Sequence, residues 1–421
     1  MPKKFNYIDL FAGAGGLSEG FTRVGFEPIA HVEIDAAACF TLKTRIAYHH
    51  LKSIGDYSTY VKYLRGEISR AQLYAHVPEK LLNSVINLPI SKETNEDIHK
   101  RIEKNLNNKS VDLIIGGPPC QAYSLVGRAR SKNKMEGDPR NYLFQQYAEY
   151  LEKYEPRMFV FENVLGLKSA KKGQYLAEME MLFNKKGYEI KLYVLEARNF
   201  AVLQNRKRII ILGWKKTERL NIPNLEEIRI ENHFLVNDLL RDLPEINAGE
   251  GKDKFLNYKS PTTEYLETHA LRNGIDVLTQ HIARPHRDQD KEIYRIAVEK
   301  WNCNQERLDY NNLPERLQTH QNRTSFIDRF KVVGSNLPYS QTVVAHISKD
   351  GHYYIHPDIT QNRSISIREA ARLQSFPDDY YFEGEKENAN RTAAFKQIGN
   401  AVPPLMAEFI AKEISKSLKV K

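Results

Sequence analysis

Cysteine is scarce in these 421 residues: Cys39, Cys120 and Cys303 are the only three, and none stands in a C-x-x-C pair. That excludes a disulfide framework and a cysteine-rich zinc site. It fits a reducing cytoplasm, where a thiolate stays available. No stretch approaches the ~18 consecutive apolar residues of a membrane span, and Met1-Pro2-Lys3-Lys4-Phe5 opens no apolar core of signal-peptide length. Internal repeats and low-complexity tracts are missing as well. What is present is 41% hydrophobic and 27% charged residues, a balance that predicts a soluble globular chain of two or three domains. A net charge of +9 points to a polyanionic partner.

One stretch organises the rest. The apolar run Val111 to Ile115 stops at Gly116-Gly117-Pro118-Pro119, and Cys120-Gln121-Ala122-Tyr123-Ser124 follows at once. Glycine lets the chain leave a strand at unusual angles, and paired prolines stiffen what comes next. A rigid turn presenting one thiol reads as a positioned nucleophile. The competing reading of Cys120 is a small buried hydrophobe.

Upstream, Asn6 to Phe11 reads as a buried strand running into Ala12-Gly13-Ala14-Gly15-Gly16, after which Leu17, Phe21 and Val24 recur at helical spacing. Strand, glycine loop and helix form the start of a nucleotide-type site, although the spacing is not G-x-G-x-x-G. The alternative is a plain tight turn. A second strand, Pro28 to Val32, ends at Glu33-Ile34-Asp35; Glu33 is placed to accept a ribose hydroxyl, and Asp35 to cap the helix beginning at Ala36. Residues 46–96 read as a mostly helical insertion whose only strand lies within Ser84 to Ile90.

Past Ser124, the segment Gly127 to Lys134 carries four cations, including Arg128 and Arg130, and suits closure over phosphates; a solvated loop is the other reading. Met158 to Phe161 predicts a strand ending at Glu162-Asn163-Val164. In an open parallel sheet, strand ends share one crevice, so Glu162 is expected beside Cys120. Gln204-Asn205-Arg206-Lys207-Arg208 opens another apolar strand, and alternation puts Arg206 and Arg208 on one face, where two guanidiniums suit a phosphate or a base. From about 216 to 360 the α/β alternation gives way to a polar segment holding His281 to Arg287 and Gln318 to Ser325, side chains suited to reading bases and phosphates. A helix is expected over Arg368 to Asp379, ending at Phe376-Pro377-Asp378-Asp379, and an apolar one over Leu405 to Ile414 after Gln397 to Pro404.

Taken in order, Asp9 to Phe21, Gly116 to Ser124, Phe161 to Val164, Gln204 to Arg208, Arg368 to Pro377 and Gln397 to Pro404 resemble the motifs of the cytosine-C5 DNA methyltransferase family. That resemblance implies an α/β, doubly wound, Rossmann-like catalytic domain (1–215, completed by 395–421). It also implies a smaller irregular target-recognition domain (216–365) and a hinge segment (366–394). The implied catalytic residues are Cys120, Glu162, Arg206 and Arg208: thiolate, carboxylate at the N3/N4 edge, phosphate-side arginine, and arginine at the cytosine O2. The implied cofactor is S-adenosylmethionine, held by Phe11, Gly13, Gly16, Glu33, Ile34, Ile90, Pro119, Leu143, Asn400 and Val402, with no metal. Gln121, Ser124, Arg128 and Arg130 become candidate contacts to duplex DNA, the target cytosine being flipped outward. This chain departs from the family where Ile34 stands in place of a frequent tryptophan. It departs again where the third-strand acid is missing at Leu88 to Ser91, leaving Asp97 or the backbone at Ile90. The expected role is that of a monomeric, cytoplasmic bacterial modification enzyme paired with a restriction endonuclease. An RNA methyltransferase of the same fold and a non-catalytic DNA-binding relative are the alternatives.

Overall fold

The computed structural model describes residues 4–119, 142–387 and 390–419. Seven strands form its central sheet: β1 (Asn6–Leu10), β2 (Glu27–Glu33), β3 (Val85–Asn87), β4 (Leu113–Gly116), β5 (Met158–Asn163), β6 (Tyr188–Glu196) and β7 (Lys207–Lys215). Their order is β3-β2-β1-β4-β5-β7-β6, and β7 alone runs antiparallel to its neighbours. Strands covered on both faces read as unbroken apolar runs. Leu113-Ile114-Ile115 and Met158 to Phe161 are such runs, each fully buried.

Helices cover the two faces. On one, Ile8, Leu10, Ile114, Phe159 and Phe161 pack under Tyr147, Leu151 and Phe183 from the helices Leu143–Tyr154 and Gln174–Lys185. On the other, Tyr7, Ile115 and Val160 meet Phe21 of the helix Gly16–Arg23 and Leu405, Met406, Ile410 and Ile414 of the last helix, Pro404–Lys419. The two helices cross so closely that a side chain on Gly20 would stand 2.4 Å from the Glu408 amide nitrogen. The end of the chain therefore returns to the sheet begun by its first residues.

Between β2 and β3 the chain folds into the helices Ala36–Ser53, Tyr57–Arg65, Arg70–Ala75 and Glu79–Leu82. Beyond β7 it is irregular, as the loss of alternation predicted. Short 3-10 turns surround one long helix, Asp288–Asn304, and a two-residue ladder of Gly251–Lys252 with His281–Ile282. Ile293, Tyr294, Val298, Tyr310, Phe330 and Ile355 make one core there. A second joins Val236, Leu239 and Tyr265 to Ile367, Leu373, Phe376 and Ile398, and so ties this region to the returning helices. The helix expected over Arg368 to Asp379 is observed as Ile367–Leu373, opened by a reciprocal capping box between Ser366 and Glu369 and ending early, before Ser375 at φ +61°.

One expectation is corrected here. His281, Arg284 and His286 were expected to read bases, yet they face inward. His281 bonds to Ser366 Oγ and the Pro244 carbonyl, His286 to Ser364 Oγ, and Arg284 to the carbonyls of Ile347, Ser348 and Lys349. Closing the core of an irregular domain consumes polar side chains, because loop carbonyls lack ladder partners. Thr319 to Thr324, by contrast, are exposed.

Candidate active site

β1, β2, β4 and β5 run parallel, so their carboxyl ends open on one edge of the sheet. β4 and β5 pair Gly116 with Phe161, which sets Gly117 beside Glu162. Gly116 has φ +136°, and a side chain there would lie 1.9 Å from the Leu10 carbonyl oxygen; one on Gly117 would lie 2.2 Å from the Glu162 carbonyl oxygen. The two glycines thus let the chain leave the sheet between two backbones. Asn163 holds that exit by donating to the Pro118 carbonyl at 3.4 Å, and Pro119 is exposed beyond it. Cys120, Gln121, Ser124, Arg128 and Arg130 lie outside the described residues.

Glu162 is the acid on this edge. Its Oε1 lies 2.7 Å from Arg208 Nε, with both side chains mostly covered. Burial raises its pKa above the ordinary glutamate value, opposed by the charges of Arg208 and then Arg206. A groove of about 430 Å³ opens beside the pair, lined by Val164, Leu165, Gly166, Asn205, Lys207, Arg208 and Thr342. Glu162 belongs to β5 itself rather than to a helix N-terminus.

Arg206 requires a correction. It is fully buried, and its guanidinium donates to the carbonyls of Val343 (2.6 Å), Gly399 (3.1 Å) and Ala401 (2.8 Å). It therefore cannot contact a phosphate from that position. Arg206 precedes β7, and the alternation that pairs it with Arg208 applies only inside an extended strand.

At the other end of the edge, β1 passes into the glycine loop through Phe11, a non-glycine residue at φ +58°. Gly13, at φ +54°, has open space where a side chain would go, whereas Gly16 is closed in by the Val402 carbonyl, Ala401 and Phe376. Glu33, the last residue of β2, accepts from the amides of Gly13 and Asp35, each at 2.7 Å. Burial pushes its pKa up. A carboxylate offers about four acceptor positions, and the Ile34 amide also bonds to it, so about one remains for a hydroxyl. Ile34 beside it is 66% exposed, an apolar platform at the strand tip. Asp35 caps its helix through the Ala38 amide, as expected. Asn400 is exposed at the end of the helix Arg391–Asn400, Val402 and Ile90 are buried, Leu143 is half-buried, and Asp97 is exposed on the helix Asn95–Leu106.

Sequence reasoning missed two residues of this edge, Asn87 and Thr342. Asn87 donates to the carbonyls of Glu33 and Ile34 and fixes the tip of β2; its only signal was its place at the end of a short strand. Thr342 and Asn205 line the groove and bond to each other, through the Thr342 hydroxyl and the Asn205 carbonyl. No spacing links residues that far apart. Among the described residues, no group of three or more His, Cys, Asp or Glu could hold a metal, and no helix is long and apolar enough to cross a membrane.

A seven-stranded sheet with one reversed strand, a glycine loop facing an acid at the next strand tip, and a carboxylate–arginine pair that begins two strands away define a methyltransferase of the Rossmann-like class. The sequence profile of the C-5 cytosine-specific DNA methylases matches residues 5–65 and 84–416, and the chain belongs to that family. It is a DNA cytosine-5 methyltransferase. The chain is 43% identical to the type II methyltransferase M.Bpa9945I of Bacillus paralicheniformis, over 97% of this chain and 98% of that one. It is 30% identical to M1.HphI of Haemophilus parahaemolyticus, over 97% and 86%. A solved prophage-encoded DNA modification methyltransferase from E. coli shares the fold at TM-score 0.65 and 23% identity, covering 99% of both chains. Dnmt2 of S. pombe does so at TM-score 0.52 and 14% identity, over 98% of this chain and 99% of that one.

Proposed function

We propose that this protein is the modification enzyme of a bacterial type II restriction–modification pair, methylating C5 of one cytosine flipped out of a specific duplex sequence. The observation that carries the reading is the Glu162–Arg208 pair, 2.7 Å apart, beside the glycine exit that leads to Cys120. Cytosine C5 is a poor nucleophile until electron density is added to the ring. The Cys120 thiolate supplies it by bonding to C6. Glu162, whose burial favours the protonated carboxyl, donates to N3 and accepts from the N4 amino group, which spreads the negative charge developing in the ring. Arg208 holds the carboxyl in place and faces the cytosine O2. Once C5 carries the methyl group, loss of the C5 proton re-forms the C5–C6 double bond and expels the Cys120 thiolate.

S-adenosylmethionine supplies the methyl group as an electrophilic sulfonium. The open face of Gly13, the remaining acceptor position of Glu33 and the exposed Ile34 fit its loop, ribose and adenine sides. Phe11, Gly16, Ile90, Pro119, Leu143, Asn400 and Val402 complete the proposed wall. Residues 1–215 with 395–421 act as the catalytic domain, 216–365 as the target-recognition domain and 366–394 as the hinge. Gln121, Ser124, Arg128 and Arg130 contact the DNA backbone behind the flipped base. The enzyme works as a cytoplasmic monomer and shields host DNA from its partner endonuclease.

Transfer of labelled methyl groups to unmethylated genomic DNA, and none to tRNA, is the expected result; the opposite preference moves the protein to RNA. Cys120→Ala should abolish transfer while keeping cofactor affinity within twofold, and full turnover by that variant would end the mechanism. DNA carrying 5-fluorocytosine should trap a covalent adduct with the wild type and not with Cys120→Ala, because fluorine cannot leave as the proton does.

A further inference from the structure

The segment 379–387 leads from the small region back toward the helix that ends at Asn400, and two sets of side chains grip it from opposite sides. From the sheet side come the helices between β2 and β3. Tyr60 donates to the Asp379 carbonyl at 2.6 Å, and Tyr63 donates to Glu383 Oε1 at 2.5 Å. Arg70 reaches further. Its guanidinium bonds to Glu383 Oε2 (3.3 Å) and to the carbonyls of Gly384 (2.8 Å) and Glu385 (2.9 Å), its amide bonds to the Glu387 carboxylate, and the ring of Phe40 lies 3.7 Å beneath it. Thr44 adds a hydroxyl to Glu383 at 2.6 Å.

From the small-region side, Gln280 exchanges two hydrogen bonds with the backbone of Phe382 (2.9 and 2.8 Å), Asn273 bonds to Asp379 Oδ2 (2.7 Å), and Asp253 accepts from the Tyr381 hydroxyl. Lys254 joins the two sides. Its ammonium sits 3.6 Å from the Tyr63 ring centre and 3.8 Å from that of Tyr381, buried and with no hydrogen-bond partner. A desolvated cation keeps its charge in such a place only through the ring faces and nearby carboxylates. Tyr63 belongs to the insertion and Tyr381 to the returning segment, so the lysine fits only when both are in register. Residues 66–83, which include Arg70, are skipped by the family profile. Arg70 therefore lies outside the segments matched by the family profile, whereas Thr44, Tyr60 and Tyr63 lie inside them.

We propose that Arg70, Tyr63 and Lys254 are positioning residues which seat the small region over the catalytic edge, so that the insertion sets affinity for duplex DNA without touching it. This rests on the DNA-methylating reading above. The number of anchors on one nine-residue segment, from both sides, is what distinguishes a seat from ordinary surface packing. None of the three side chains belongs to the proposed cofactor or base contacts.

The test measures methyl transfer to unmethylated genomic DNA by the full-length wild type, Arg70→Ala, Arg70→Lys and Lys254→Met, together with cofactor affinity and hydrogen exchange. For Arg70→Ala and Lys254→Met, KM for DNA should rise at least fivefold, with kcat and cofactor affinity within twofold of wild type. Exchange should quicken at 379–387 and 251–256 while β1, β4 and β5 stay protected. Arg70→Lys, which keeps the charge and one donor direction, should recover part of the loss. An unchanged KM in both variants overturns the inference. So does a parallel loss of cofactor affinity with exchange quickened across the whole sheet; should Arg70→Ala alone unfold, Lys254→Met decides. If the wild type methylates no DNA, the functional reading fails first and this one with it; an active wild type with indifferent variants sinks only the seat.

Discussion

At the scale of single residues, the pairing of Glu162 with Arg208 is the most informative contact. Burial raises the Glu162 pKa, and Arg208 is the strongest opposing charge. Removing that charge in Arg208→Ala should therefore move the Glu162 ionisation to higher pH. Since the protonated carboxyl is the form that donates to N3, activity falls as pH rises through this pKa, and the variant should hold its remaining activity to higher pH. The overall rate should drop by ~10²-fold or more, the usual cost of losing one preorganised charge at a reacting centre. A pH–rate profile of kcat reads both effects. A limb that stays in place, or moves to lower pH, would remove Glu162 as its source. Glu162→Gln supplies the control, because an amide cannot titrate and its profile should lose that limb.

Among elements, the turn between Gln204 and β7 matters through what it braces. Arg206 ties three carbonyls, on Val343, Gly399 and Ala401, into one buried point. Arg206→Ala should cost on the order of 3–5 kcal/mol, since bonds from a charged donor count for ~1.5–3 kcal/mol each and unmatched buried carbonyls add to that. Urea unfolding would measure it. A loss under 1 kcal/mol would mean that water replaces the guanidinium. The same arginine marks how far the sequence could be read. Apolar runs such as Leu113 to Ile115 and Met158 to Phe161 announced their strands, and the polar residues that end them announced the active edge. Both signals are local: burial on two faces, then a change of chemistry where the strand meets solvent. Arg206 looked like a ligand-binding cation because its partners lie some 140 to 195 residues away. His281 and Arg284 misled for the same reason. Thr342 and Asn87 carried no motif at all, and only the folded chain shows that each holds a backbone carbonyl at the site.

Over the whole molecule, the question is whether the sheet and the irregular region stand or fall together. The irregular region is tied by buried ion pairs to 366–394, the segment that returns the chain to the sheet. Arg372, with no exposed surface, bonds to Asp242 (2.5 Å) and to Asp378 (2.6 Å); Arg272 supports Asp242 at 3.0 Å, and Tyr258 supports Asp378 at 2.9 Å. A group of this kind adds little over a well-packed apolar substitute, yet breaking it strands charges out of water at a cost of ~3–5 kcal/mol. Arg372→Met leaves Asp242 and Asp378 facing each other across the seam. The two tryptophans of the chain report the consequence. Trp214 lies in β7 of the sheet, and Trp301 in the helix Asp288–Asn304. With Arg372 intact, denaturant curves of Trp214→Phe and Trp301→Phe, each following the remaining tryptophan, should coincide, as a single cooperative unit requires. In the Arg372→Met background the Trp301 signal should be lost at lower denaturant than the Trp214 signal, because the sheet keeps its own two-faced core and the irregular region depends on the junction. Adding Asp242→Asn and Asp378→Asn to Arg372→Met relieves the stranded charge and should bring the transitions back together. Curves that separate already in the wild type would show that the seam transmits no cooperativity. Curves that still coincide in Arg372→Met would place the coupling in the apolar contacts of Ile367, Leu373 and Phe376 with Val236 and Tyr265 instead.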